Sequence, residues 1–198
     1  GIYEVVRWYE GFFFDMESHM TRMKRSMREI RLAWREADSF PDIARGLIER
    51  NSLLERPSLV YLQVTRGAAK RTHTFPSPPV DPTVYAFAWG FKPPREIVAE
   101  GITTILRNDP RWLRCDIKSV SLLPNILSFQ EANEAGSMEC IFTRDGMMTE
   151  CAHSNVFFVI DGKVFTHPES ENILSGVTRK NVIDVARKAG VSVIEIPV

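Results

Sequence analysis

The sequence predicts a mixed α+β chain in two domains, on three observations. Ile2 to Tyr9 is an apolar, β-prone run, and Leu59 to Thr65 alternates aromatic or polar with apolar residues, as sheet strands do. Between them, Met23, Met27, Ile30 and Trp34 fall at helical spacing. In the second half, two Asp-Gly pairs each separate β-prone segments, the signature of tight hairpins. With 198 residues, 44% of them hydrophobic, the chain has material for one large or two small cores.

In order, Ile2 to Tyr9, the turn Glu10-Gly11 and Phe12 to Phe14 read as a hairpin. Ser18 is the expected cap of a first helix whose buried face is the Met23 to Trp34 stripe, with Arg22, Lys24, Arg25, Arg28, Arg31 and Arg35 around it. Ser39 opens a second helix, with Pro41 tolerated in its first turn, Ile43, Leu47 and Ile48 inward and an end by about Leu54. Leu59 to Thr65 is a strand that stops at Arg66-Gly67. Proline-rich residues 76 to 82 form an extended surface segment before the strand Thr83 to Phe91. The turn Lys92-Pro93-Pro94 is the expected boundary, giving domains 1–91 and 92–198.

Beyond it, Gly101 to Leu106 is β-prone, and Ile126 to Ala135 has helix composition closed by Gly136. Cys140 to Thr143 and Met147 to Glu150 flank Asp145-Gly146; Asn155 to Ile160 and Lys163 to Thr166 flank Asp161-Gly162. A helix over Arg179 to Lys188 stops at Gly190 before the strand Val191 to Ile196.

Lys and Arg balance Asp and Glu at 25 each, which gives no reason to propose nucleic acid or a membrane surface as partner. Three cysteines without paired metal spacing favour a reducing, cytoplasmic setting. The four histidines form no close ligand pair, and no serine sits in a nucleophile elbow. The opening Gly1-Ile2-Tyr3 is neither an initiator methionine nor a signal peptide, so an excerpt of a longer protein is expected.

Candidate chemistry centres on Lys118, in Arg111-Trp112-Leu113-Arg114-Cys115-Asp116-Ile117-Lys118-Ser119. A partly desolvated lysine there can attack an aldehyde or take a proton, and on composition alone it is also an ordinary surface lysine. Ser175-Gly176-Val177-Thr178 before a helix makes a small anion cup, or an ordinary loop with a threonine cap. Arg22 is a fork of donors for the same anion, or a solvated side chain. Glu150, at a strand end before Cys151-Ala152-His153-Ser154, suits a protonated ring nitrogen or faces water as a rim carboxylate. Arg71 and His73 leave an extended loop on one side, an arrangement that suits a substrate carboxylate, and Tyr61 and Arg66 lie near.

Taken in order, Gly-Ile-Tyr-Glu-Val-Val at the start, Val-Thr-Arg-Gly at 64–67, the 111–119 stretch, Thr-Glu at 149–150, Ser-Asn-Val-Phe at 154–157 and Ile-Leu-Ser-Gly-Val-Thr-Arg at 173–179 resemble the fold type IV pyridoxal phosphate enzymes, most closely the D-amino acid aminotransferases. The resemblance implies a two-domain fold type IV architecture, incomplete at both ends, that binds pyridoxal 5'-phosphate. It implies that Lys118 forms the internal Schiff base, Glu150 pairs with the pyridine nitrogen, Leu174 packs on the ring, and Arg22 with the Val177 and Thr178 amides holds the phosphate. Tyr3 then lies beside the substrate, and Arg71 with His73 traps its carboxylate from the neighbouring subunit of a homodimer. The Cys-Ala-His-Ser loop departs from the glycine and serines of those enzymes.

The implied reaction is transamination between D-amino acids, such as D-alanine or D-glutamate, and 2-oxo acids, with ping-pong kinetics. Branched-chain aminotransferases and aminodeoxychorismate lyase share the cofactor residues, and a noncatalytic binding or assembly homologue is the reading from another class.

Overall fold

The computed structural model describes residues 1–198 and, except at position 96, their side chains. The chain divides into two compact units, Gly1–Pro93 with Ile117–Ser121, and Pro94–Asp116 with Leu122–Val198.

The first unit is built on a four-stranded antiparallel sheet. Its strands are β1 (Ile2–Tyr9), β2 (Phe12–Phe13), β3 (Ser58–Thr65) and β4 (Thr83–Gly90), in the order β2-β1-β3-β4. Alternation sets the faces: Ile2, Val6 and Trp8 of β1 and Val60, Leu62 and Val64 of β3 are buried. Against this face pack α1 (Met16–Glu29), through Met23 and Met27, and α2 (Phe40–Arg50), through Phe40, Ala44 and Ile48. Each of the larger ones, Met, Phe and Ile, contributes about 1.5–3 kcal/mol on burial. One position breaks the apolar pattern: Glu4, wholly buried between Ile2 and Val6.

Helix α1 starts earlier than Ser18 suggests. Asp15, in a left-handed conformation at φ 45°, is the cap, and its side chain accepts from the Ser18 amide at 3.3 Å. The helix also stops before Trp34, which is buried in the turn that follows. Arg66 explains part of that stop. Its guanidinium donates to the Ile30 and Arg31 carbonyls at 2.5 and 2.8 Å, satisfying the orphaned end of the helix. Residues 117–121 return to this unit and line the edge of β1. The Tyr3 amide donates to the Lys118 carbonyl and the Val120 amide to the Gly1 carbonyl, each at 3.0 Å, while Ile117 enters the core.

The second unit contains two three-stranded sheets. One, ordered β5-β6-β7, joins β5 (Thr104–Asn108), β6 (Glu139–Arg144) and β7 (Met147–Cys151); the other, ordered β10-β9-β8, joins β8 (Phe158–Ile160), β9 (Lys163–Thr166) and β10 (Val193–Glu195). β5 and β6 are parallel, as are β9 and β10, so each pair requires a crossover. A short helix, α3 (Arg95–Glu100), which periodicity did not suggest, precedes β5. The crossovers are supplied by α4 (Leu123–Glu134) and α5 (Val177–Lys188). Both Asp-Gly pairs form the expected hairpins: Asp145 and Gly146 have φ 52° and 77°, Asp161 and Gly162 47° and 73°. A small core of Ala132, Cys140, Phe142 and Ala152 lies beneath the first sheet. No helix among the described residues is long and apolar enough to cross a membrane.

Candidate active site

In the first unit the chemistry gathers where α1 faces β1. His19, Arg22, Met23, Ser26 and Met27 form one buried stripe of α1, three of the five polar. Two of those polar members, His19 and Arg22, meet the buried Glu4. Arg22 donates from Nε to Oε1 and from Nη2 to Oε2, each at 2.8 Å, and His19 Nδ1 lies 2.8 Å from Oε2. Burial pushes the Glu4 carboxyl up, but the Arg22 and His19 hydrogen bonds outweigh it and hold the group at about 2. Arg22 is therefore a buried, clasped guanidinium rather than a solvated one.

Lys118 is placed by its backbone. Its amide donates to Ser26 Oγ at 3.2 Å, its carbonyl accepts from Tyr3, and its half-buried side chain puts Nζ 4.2 Å from the centre of the Tyr3 ring. The ring face is one that an ammonium favours. Tyr3 is further held by stacking on Tyr61, with centroids 5.7 Å apart. Arg71 and His73 lie on the exposed loop between β3 and β4. Arg66, occupied at the end of α1, does not join them.

In the second unit Glu150 is the hub. It sits in β7, buried, and its carboxylate receives three donors. Arg111 Nη1 gives a short, charge-assisted hydrogen bond to Oε1, while Asn155 Nδ2 and the Leu174 amide reach Oε2 at 3.0 and 3.1 Å. Burial dominates and pushes the carboxyl up to about 7, against the pull of Arg111 and the Leu174 amide. Glu150 is thus no rim carboxylate. Arg111 is itself fixed by Asp109, which accepts from its Nε and Nη2 at 2.9 Å each, and by the Asn172 carbonyl at 3.2 Å. Sequence reasoning passed over Arg111, Asp109 and Asn155. The usable signal was Asp109 two residues before Arg111, a spacing that suits a local ion pair.

The 172–178 segment meets the same hub. Asn155 Nδ2 also donates to the Leu174 carbonyl at 3.0 Å, so that residue is held at both its amide and its carbonyl. Gly176 follows, and a Cβ there would come within 1.9 Å of Asn155 Oδ1, so only glycine fits. Helix α5 begins at Val177 with no side-chain cap, and its first hydrogen bond runs from the Lys180 amide to the Gly176 carbonyl at 2.9 Å. The Val177 and Thr178 amides consequently lie in the first turn, where a helix presents donors to an anion. Val177 is buried and Thr178 exposed.

The loop after Glu150 is anchored separately. Buried Glu139 accepts from the Cys140 and Ala152 amides at 2.9 and 3.1 Å and from Ser154 Oγ at 2.8 Å, and His153 Nδ1 lies 2.6 Å from it. Cys151, the last residue of β7, leads into this loop with its thiol pushed by burial up to about 12, which makes it an inert packing group.

Comparison with known proteins places this arrangement. The D-alanine aminotransferase of Staphylococcus epidermidis is 40% identical over 181 residues, spanning 91% of this chain and 64% of that protein, so the chain covers somewhat under two thirds of that relative's length. Among solved structures, the branched-chain amino acid aminotransferase of Escherichia coli superposes with a TM-score of 0.88 at 24% identity, over 100% of this chain and 68% of that one. That of Thermobaculum terrenum in its PLP form gives 0.86 at 22%, over 100% and 67%. At these identities the two structures establish the fold type IV architecture alone. The model of the amino-transferase class IV family matches residues 1–198, and with a hydrogen-bonded carboxylate at Glu150 and a glycine-led helix start at Val177 in those residues, the chain belongs to that family.

Proposed function

We propose that the protein of which this chain is a part transfers an amino group between a D-amino acid, such as D-alanine or D-glutamate, and a 2-oxo acid, with pyridoxal 5'-phosphate as cofactor. The observation that carries the reading is the 40% identity to a D-alanine aminotransferase across 91% of the chain. The donor set fits the cofactor. A buried carboxylate at Glu150 suits a protonated ring nitrogen, and the glycine-only approach at 176 with the first turn of α5 suits a phosphate.

The bound cofactor would supply an electron sink for the substrate's Cα–H bond. In this reading Lys118 would hold the cofactor covalently through Nζ, and its amine would take and return the substrate's Cα proton as a general base and acid. Glu150 holds the proton on the ring nitrogen. Val177 and Thr178 give their amides to the phosphate, Arg22 gives it a guanidinium, and Leu174, fixed at both its backbone groups, packs on the ring. Tyr3 borders the substrate. Arg71 and His73, on an exposed loop, bind the substrate carboxylate in the neighbouring subunit of a homodimer. A reducing compartment, the cytoplasm, accords with three free cysteines.

The test is a stereospecific panel of amino donors on the full-length protein, read as conversion of bound cofactor from its aldehyde to its amine form. D-alanine and D-glutamate are expected to convert it. Conversion by L-leucine and not by D-alanine overturns the D-amino acid reading. Lys118→Ala is expected to lose both turnover and the lysine adduct trapped by borohydride; undiminished turnover removes Lys118 from its role.

A further inference from the structure

Glu150 does not stand alone against whatever it binds. The charged and titratable groups around it are Arg111 and Asp109 beyond β5, Arg144 at the end of β6, and the thiols of Cys115 and Cys151, with Asn155 and the Leu174 amide as neutral donors. Both arginines reach Asp109, whose side chain is wholly buried: Arg111 through Nε and Nη2, and Arg144 through Nη2 at 2.9 Å. With Glu150 ionised, the two carboxylates and two guanidiniums balance. Without Arg111 the cluster carries one excess negative charge in a buried setting, and protonation of Glu150 is the cheapest way to remove it.

The arginine is also held too tightly to act as a loose counter-ion. Its side chain is 5% exposed, its guanidinium lies 4.7 Å from the centre of the Phe142 ring, and Asp109 accepts from its backbone amide at 3.0 Å as well as from its side chain. Asp109 takes one edge of the fork, which leaves Nη1 pointing at Glu150 Oε1.

We propose that Arg111, through the hydrogen bond it gives Glu150, is a positioning residue that sets how readily Glu150 carries its charge, and hence how tightly the protein holds a protonated pyridine ring. The inference rests on Glu150 as partner of the ring nitrogen. Glu150 accepts the ring's N–H only when ionised, so whatever favours its neutral form weakens the cofactor at a given pH. Arg111 opposes the effect of burial on that balance.

The experiment measures the affinity of the cofactor-free, full-length protein for pyridoxal 5'-phosphate from pH 5.5 to 8.5 in wild type, R111Q and R111K. Ionisations of the cofactor itself are common to all three, so only differences between proteins count. In R111Q the pH at which affinity is half-maximal is expected to rise by about one unit or more, which is about tenfold weaker binding at the acid end of the range. R111K, which keeps the charge and loses the fork, is expected to rise less. Affinity that is uniformly weaker with an unmoved midpoint would make Arg111 merely structural and overturn the proposal. Should R111Q not fold, R111K decides, and a midpoint equal to wild type overturns it. Failure of the wild type to bind the cofactor at any pH instead overturns the reading of Glu150 on which the inference rests.

Discussion

Glu4 in the first unit and Glu150 in the second are both buried carboxylates hydrogen-bonded to a buried arginine, yet they are driven in opposite directions. Glu4 is held at about 2 and Glu150 is pushed to about 7. Burial acts on both alike, so the difference lies in how each arginine is shared. Arg22 commits two donors to Glu4, and His19 adds a third contact. Arg111 commits one to Glu150, because Asp109 holds the other edge of its fork. A carboxylate that receives two donors from its arginine and a third from a histidine is locked as an anion, whereas one that receives a single arginine donor is pushed to about 7, where a new positive charge can capture it.

The largest effect should come from breaking the locked pair. Glu4→Leu leaves Arg22 and His19 buried without their acceptor, and removing one partner of a buried ion pair costs about 3–5 kcal/mol. Urea unfolding at pH 7 measures it, and a loss below about 1 kcal/mol would mean that the two carboxylates are more alike than their surroundings imply. Next comes the opposite sign of their pH dependence. Each departure from the ordinary 4.5, to about 2 or to about 7, is worth on the order of 3 kcal/mol. For Glu4 that stability is present above pH 4.5 and is lost as the pH falls towards 2. For Glu150 the protonated form is favoured in the fold, so stability declines as the pH rises from 4.5 through 7. Glu150→Gln is expected to flatten that decline, and Glu4→Gln to flatten the loss in acid, in unfolding free energies measured from pH 3 to 8. A smaller effect tests the hub's geometry. Gly176→Ala drives a methyl onto Asn155 Oδ1, which must move and release Glu150 and the Leu174 carbonyl, at about 1–3 kcal/mol. A neutral outcome would show that Asn155 is not needed to hold the hub.

The two regions also differ in what the sequence could reveal. Apolar, β-prone composition identified β1 and alternation β3, because both strands turn apolar residues to a core, and both Asp-Gly hairpins were legible because positive φ restricts the residues a turn accepts. Glu4 occupies a core-facing position in β1, a visible irregularity whose partners lie 15 and 18 residues on. Helix periodicity carried α1 too far, to Trp34, since a residue buried after a helix end looks like one more member of its stripe. The cap was misplaced at Ser18 because the residue that accepts at the helix start is Asp15, whose side chain takes the Ser18 amide. Glu150 and the Gly176 to Thr178 cup were singled out on local chemistry. The Arg111 to Glu150 bond joins residues 39 apart, one just after β5 and one within β7, and no local pattern encodes that distance.

The weakest of these carboxylate contacts supplies the finest test. Glu139 is buried like the other two, but its titratable partner, His153, has a side chain 68% exposed. The hydrogen bond to Glu139 raises the His153 imidazole above its ordinary 6.5, while burial raises Glu139 and its hydrogen bonds from His153, the Cys140 amide and Ser154 bring it below the usual carboxylate range. A raised histidine stabilises the fold fully below pH 6.5, and the contribution disappears as the pH rises through the elevated value in the folded protein. Solvent screening limits an exposed pair to about 0–1 kcal/mol. His153→Gln should therefore cost no more than about 1 kcal/mol at pH 6 and nothing measurable at pH 9, in unfolding experiments at the two values. Glu139 keeps the Cys140, Ala152 and Ser154 donors in that variant, so the loop should stay in place. An equal loss at both pH values would mean that His153 acts by packing edge-on against Phe129, 4.8 Å away between ring centres, rather than by charge.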